Sequence, residues 1–204
     1  MFNNYFLIPL VLLLLGGCAT LNKEECLSAD WAVIGFEDGS LGRDAAYLRN
    51  HREACSQHGV SPKLAEYQQG HAEGLKVFCT PNNAYVYGLE GGQYQGVCPY
   101  DLEIAFLPAY KLGYEIHQLK ATIAKDSRSL SKQQADMSDL EANIHSKEFQ
   151  LINANATPGE RAQLLADITG LRERKSGLQQ AIIDLELSLQ RDKEKLNILQ
   201  NQPY

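Results

Sequence analysis

Apolar positions follow two different patterns along this chain. From Ile116 onward they recur every seven residues, as Ile116, Ile123, Leu130, Met137, Ile144 and Leu151, with Leu119 and Leu140 filling intermediate positions. A seven-residue repeat lines these side chains along one stripe of a helix, the seam of a coiled coil. Asp126, Gln133 and Lys147 interrupt the other half of that seam. A second segment repeats more cleanly: Leu164, Leu171, Leu178, Leu185 and Leu199 form one row, and Ile168, Ile182, Leu189 and Leu196 the other, broken by Lys175 and Asp192. Between the segments, Thr157 stands where it can cap a helix that starts at Pro158, with Glu160 as its capping-box partner. A short polar break between two heptad segments of similar length predicts an antiparallel hairpin, with arms at about 114–152 and 158–201. At 1.5 Å per residue, an arm of about 40 residues reaches roughly 60 Å. One continuous helix in a parallel oligomer is the alternative, and the Pro158-Gly159 pair argues against it.

The first half has a shorter rhythm, in which an aromatic residue is followed three or four positions later by glycine. Trp31 leads to Gly35 and Gly39, Tyr67 to Gly70 and Gly74, and Tyr110 to Gly113, while Gly88, Gly92 and Gly96 are spaced around Tyr87 and Tyr94. Glycines at steps of four share one helical face, which another backbone or a ring can approach closely. Short helices packed through glycine contacts are the expectation, with the stretch around Gly92 and Gly96 open to being a loop. The compositional change between the two halves falls near residue 113.

The amino terminus differs from both halves. An apolar run from Tyr5 to Leu15 is too short to span a bilayer, which needs about 20 residues, and reads as the apolar middle of an export signal over residues 1–17. Leu15-Gly16-Gly17-Cys18 then fits a lipobox, in which Cys18 receives diacylglycerol and an N-acyl chain as the membrane anchor. Met1-Phe2-Asn3-Asn4 departs from the pattern by carrying no Lys or Arg. Ala19, where an aspartate would resemble an inner-membrane retention signal, points to the outer membrane facing the periplasm. Several acyl chains, each buried methylene contributing about 0.8 kcal/mol, make such an anchor effectively permanent.

With Cys18 assigned to lipid, Cys26, Cys55, Cys79 and Cys98 remain, an even number that suits two disulfides in an oxidising compartment. Three pairings are possible; Cys26–Cys55 with Cys79–Cys98 closes the shortest loops. A zinc site from His51, Cys55 and His58 is disfavoured by that compartment and by the lack of a CxxC pair.

A formal charge of −6 without a basic stripe excludes a nucleic-acid partner. Glu37, Asp38, His51, Glu53, His58, His71 and Glu73 are the polar residues that could gather into a site, with Asp38, His51 and His58 the leading candidates. Against them stands a plain reading in which Asp38 caps a turn beside Gly39 and the histidines flank a disulfide. No nucleophile elbow, phosphate loop or metal cluster is present in the sequence, so an enzyme is not expected. Trp31, Tyr47, Tyr67, Tyr85, Tyr87, Tyr94 and Tyr100 could stack on sugar rings of peptidoglycan or supply the core of a small domain.

The ordered succession Cys26, Asp30-Trp31, Ile34-Gly35, Glu37-Asp38-Gly39, Gly42, His51 through Cys55, His58-Gly59-Val60, Tyr67, Gly70, Glu73-Gly74-Leu75, Phe78-Cys79, Gly88, Tyr94, Gly96 through Pro99, and Phe106 through Tyr110 and Gly113 resembles a family of proteobacterial lipoproteins. That family is catalogued as domain of unknown function twenty-seven ninety-nine, and the resemblance covers about residues 20–115. It implies a lipobox before the domain and a helical coiled-coil tail after it, with no assigned activity.

The expected architecture is mainly α. A signal (1–17) and a lipidated tether (18–25) precede a small disulfide-pinned helical domain (26–113) and a long antiparallel hairpin (114–204). The expected role is docking, with an envelope protein or a second copy as partner; a peptidoglycan-binding module is the alternative, and no cofactor beyond the lipid is implied.

Overall fold

The computed structural model describes residues 21–153 and 155–203. The signal segment and Cys18 lie outside the described residues. The described residues form seven α-helices and one 3-10 turn, with no strand among them: α1 (Lys23–Leu27), α2 (Trp31–Ser40), the turn Ala45–Tyr47, α3 (Leu48–Ser56), α4 (Leu64–Phe78), α5 (Pro81–Leu89), α6 (Tyr100–Asn153) and α7 (Pro158–Gln200). They fall into two compact units, one of residues up to Cys79 together with Gln95–Leu102, the other of Thr80–Tyr94 and the chain from Glu103.

In the first unit the local chemistry of the helix starts is explicit. Asn22 and Glu25 close a capping box on α1, and the Asp30 carboxylate accepts from Ala32 N and Val33 N at the start of α2. This satisfies backbone donors that have no partner inside the helix. The defining contact is between α2 and α4. A methyl group on Gly35 would overlap Tyr67 O, one on Gly39 would overlap His71 O, one on Gly70 would overlap Ala32 O, and one on Gly74 would overlap Phe36 O. The two backbones therefore touch through glycines contributed by both helices, as the spacing predicts. Around this crossing, Cys26, Trp31, Leu48, Cys55 and Tyr67 form one buried cluster, edged by Leu21, Ala29, Ile34 and Val60. Gly42 takes a left-handed φ of 68° and rests against the Phe78 ring, a conformation and a space that a side chain would not share.

In the second unit α5 packs on α6 by the same means. A methyl on Gly88 would overlap Tyr110 O, and one on Gly113 would overlap Tyr85 O. Gly88 is helical, whereas Gly92 and Gly96 follow in the loop after α5, so these three glycines do not share a helical face. The compositional step at residue 113 marks no break in the chain. Gly113 is buried inside α6, which runs unbroken from Tyr100, because Tyr110, Gly113 and Tyr114 form the face that receives α5. The helix that supplies the hairpin's first arm thus begins at Tyr100, ahead of 114. Pro108 lies within this helix, where it removes one backbone donor and crowds the carbonyl of Ile104.

Beyond that point α6 and α7 pair antiparallel. Lys147 meets Asp167 at 2.7 Å, Arg172 meets Glu148 at 2.6 Å, Lys175 meets Glu141 at 2.7 Å and Lys195 meets Glu115 at 2.8 Å. From Glu115 with Lys195, through Glu141 with Lys175, to Lys147 with Asp167, the partners on α6 rise as those on α7 fall, the signature of a chain that turns back on itself. Lys147 and Lys175, which interrupt the apolar seam, are thereby both paired. Exposed ion pairs contribute about 0–1 kcal/mol each, so they set register more than stability. Thr157 accepts from Glu160 N at 3.3 Å and its own N–H donates to the Glu160 carboxylate at 2.7 Å, closing the predicted capping box.

Glycines within α7 provide the counterpoint to the crossing glycines. Gly177 is exposed and has open space where a methyl would sit. Gly177→Ala is therefore expected to stabilise the hairpin by about 0.5–1 kcal/mol through helix propensity alone. Chemical denaturation followed by circular dichroism checks this, and a destabilised variant would contradict the open surface there.

Candidate functional site

The most concentrated polar chemistry among the described residues lies in the first unit, around Asp38. This residue is inside α2 and 2% exposed, so it does not cap a turn; the cap of α2 is Asp30. Three side chains from three other elements converge on its carboxylate. His51 Nε2 from α3 lies 2.8 Å from Oδ2, the Tyr67 hydroxyl from α4 donates to Oδ2 at 2.7 Å, and Arg43 from the following loop donates to Oδ1 at 2.7 Å. An ionised carboxylate has no proton to give, so the imidazole must present Nε2–H to it.

Burial alone would push the Asp38 carboxyl up. The hydrogen bonds from His51, Tyr67 and Arg43 outweigh that effect and hold it below the usual carboxylate range. Tyr67 moves the opposite way: burial first, and then its bond to the Asp38 carboxylate, push its phenol well above the ordinary range and keep it a donor. The cluster has a second layer. Arg43 lies over the Tyr47 ring at 4.4 Å, Tyr47 meets His51 edge to face at 5.3 Å between centroids, and His71 Nε2 lies 2.8 Å from Arg43 O. His51 is 3% exposed, and its Nδ1 is buried with no hydrogen-bond partner among the described residues.

Of the three leading candidates, the structure brings Asp38 and His51 together. His58 stands apart, in the turn after α3, where its N–H donates to Cys55 O. Glu53 and Glu37 are exposed. Arg43 and Tyr67 complete the cluster; the sequence offers Tyr67 only as an aromatic for stacking or for the core, and Arg43 not at all. Tyr67 carries a glycine-repeat signal that points to packing, and its hydroxyl reaches a partner 29 residues away; Arg43 sits in no motif.

Cys55 is joined to Cys26, and Cys79 to Cys98, with Cα separations of 5.4 and 5.7 Å. The first bridge ties α1 to α3 beside the cluster, and it occupies the sulfur that a His51, Cys55 and His58 zinc site would need. Each bridge stabilises by roughly 2–4 kcal/mol, mainly through the unfolded chain.

The aromatic residues divide by environment. Trp31 and Tyr67 are buried in the first unit. In the second unit Tyr87, Tyr94, Phe106, Tyr110 and Tyr114 pack on one another, with centroids 4.8–6.2 Å apart. Their hydroxyls are engaged as well: Tyr87 donates to Gln93 O, Tyr110 to Gly92 O and Tyr94 to Glu103. Tyr100 is 80% exposed.

These features define an all-helical protein in which disulfide-linked, glycine-crossed helices precede a helical hairpin. Residues 30–115 match the profile of the family described as protein of unknown function (DUF2799). The resemblance drawn from the glycine, aromatic and cysteine positions is therefore to this family, with Cys26 falling just ahead of the matched span. No curated protein and no solved structure matches the chain significantly. Among the described residues no helix is long and apolar enough to cross a membrane.

Proposed function

We propose that this protein is a lipid-anchored envelope lipoprotein that faces the periplasm and acts as a docking module, its hairpin receiving a helix of another envelope protein. Leu15-Gly16-Gly17-Cys18 supports the anchor. The observation that carries the docking reading is the state of the hairpin seam. Leu119, Ile123, Leu130 and Met137 on α6, and Leu171, Leu178, Ile182 and Leu185 on α7, stay half-exposed although the helices are paired. The part of this apolar surface left uncovered matches what an amphipathic partner helix covers. Ile183 and Leu187 add exposed apolar surface outside the seam.

No catalytic step belongs to this reading. The Asp38 carboxylate is engaged by three side chains of its own unit, and the cluster holds helices in place.

A photoreactive residue at Ile183 or Leu187, introduced in intact cells, tests the proposal. A discrete adduct with a second protein is expected. An adduct of twice the chain's mass would reassign the partner to a second copy, and recovery of unlinked chain alone would remove the docking role.

A further inference from the structure

Two helix pairs in this chain are built alike, position by position. Gly35 of α2 faces Tyr67 O and His71 N, while Gly70 of α4 faces Ala32 O. Gly88 of α5 faces Tyr110 O and Tyr114 N, while Gly113 of α6 faces Tyr85 O. In both pairs the first glycine meets the carbonyl of the tyrosine in a Tyr-x-x-Gly sequence and the N–H four residues later. In both, the second glycine meets the carbonyl three residues before the first. The crossings share one register.

The cysteines keep that register, although close helix contact does not require it. Cys26 precedes Gly35 by nine positions, and Cys79 precedes Gly88 by nine. Cys55 precedes Tyr67 by twelve and Gly70 by fifteen; Cys98 precedes Tyr110 by twelve and Gly113 by fifteen. Each first cysteine is bonded to its own second one. We propose that residues 26–114 are two tandem copies of one module, in the order cysteine, glycine helix, cysteine, Tyr-x-x-Gly helix, and that the stretch before Cys55, with the 3-10 turn and the part of α3 up to Ala54, is an insertion in the first copy.

The insertion accounts for the differences between the copies. The bridged cysteines are 29 positions apart in the first copy and 19 in the second. The surplus lies between Gly35 and Cys55, where the 3-10 turn and α3 up to Ala54 occur; the second copy has only the loop after α5. Trp31, buried with Leu48 of α3, corresponds to the small buried Ala84. Asp38, which receives His51 of α3, corresponds to Gly91. The matched tyrosines show what was replaced: Tyr110 donates to a backbone carbonyl, Gly92 O, at 3.0 Å, whereas Tyr67 donates to the Asp38 carboxylate. The Asp38 cluster is the device that seats the inserted stretch, and the first copy is the specialised one.

Two measurements on the full chain test this. Native-state hydrogen exchange is read on Gly35→Ala, Gly70→Ala, Gly88→Ala and Gly113→Ala. Members of a matched pair should each lose at least about tenfold protection in their own crossing, and one silent member would overturn the equivalence. The second variant replaces Ser40–Ala54 with the sequence of Gln93–Val97 and carries Trp31→Ala and Asp38→Gly. It should oxidise to a single Cys26–Cys55 species and melt cooperatively, with helix content reduced only by the helical residues removed. Scrambled disulfides or a lost transition would overturn the reading of this stretch as an insertion.

Discussion

Gly70→Ala is expected to cost about 3 kcal/mol or more in chemical denaturation, the upper end of what an added methyl does in a packed interior. The methyl would meet Ala32 O, with Ala32 C at 2.7 Å and Ala32 Cα at 3.0 Å behind it. All three are backbone atoms, so no rotamer change relieves the overlap. The helices must move apart, and the movement is resisted because Gly35, Gly39 and Gly74 hold the same crossing closed. Separation would also expose Trp31 and Tyr67, buried beside it. The contrast with Gly177→Ala, the same chemical change with the opposite expected sign, isolates the contact from helix propensity. A Gly70→Ala chain within about 0.5 kcal/mol of the parent, the usual range for a surface change, would mean that α2 and α4 do not touch.

Asp38→Ala is expected to cost roughly 3–5 kcal/mol, the usual penalty for removing one partner from a buried ionic group. It strands the His51 Nε2–H and the Tyr67 hydroxyl, both buried, while Arg43, 40% exposed, can turn to water. Asp38→Asn keeps the shape and should cost less. The pH dependence has a definite sign. Because Asp38 is held below the usual carboxylate range when folded, its ionised form favours the folded chain. The contribution is complete above that range and is lost as pH falls through the lowered folded value. Below the usual carboxylate range, the stability difference between the parent and Asp38→Ala should accordingly narrow as pH falls. A difference that widened as pH fell below the usual carboxylate range would contradict the hydrogen-bonding pattern around Asp38.

The sequence made the long-period features legible because each is a local rule repeated many times. The heptad rows predict both arms, and Thr157 with Glu160 predicts where the second begins. The glycine spacing predicts close helix contact because a bare Cα is needed wherever another backbone arrives. The extent of α6 was not legible: the change in composition at residue 113 reflects a change in what one continuous helix packs against, first α5 and then α7. The Asp38 cluster was half legible. Asp38 and His51 stand out by residue type, but their meeting depends on how α3 is folded over α2, which no local pattern encodes. His58 lies seven positions after His51, a spacing that shares a helical face only while the helix continues, and α3 ends at Ser56.

The docking role rests on two arms that pair within one chain along their length. Spin labels placed as unnatural residues at Gln134 with Glu186, and separately at Glu141 with Lys175, measure this pairing directly. Both label pairs should give one short, narrow distance that survives dilution with unlabelled chain. Broad, long distances, or short ones that vanish on dilution, would show that the arms pair between copies or not at all.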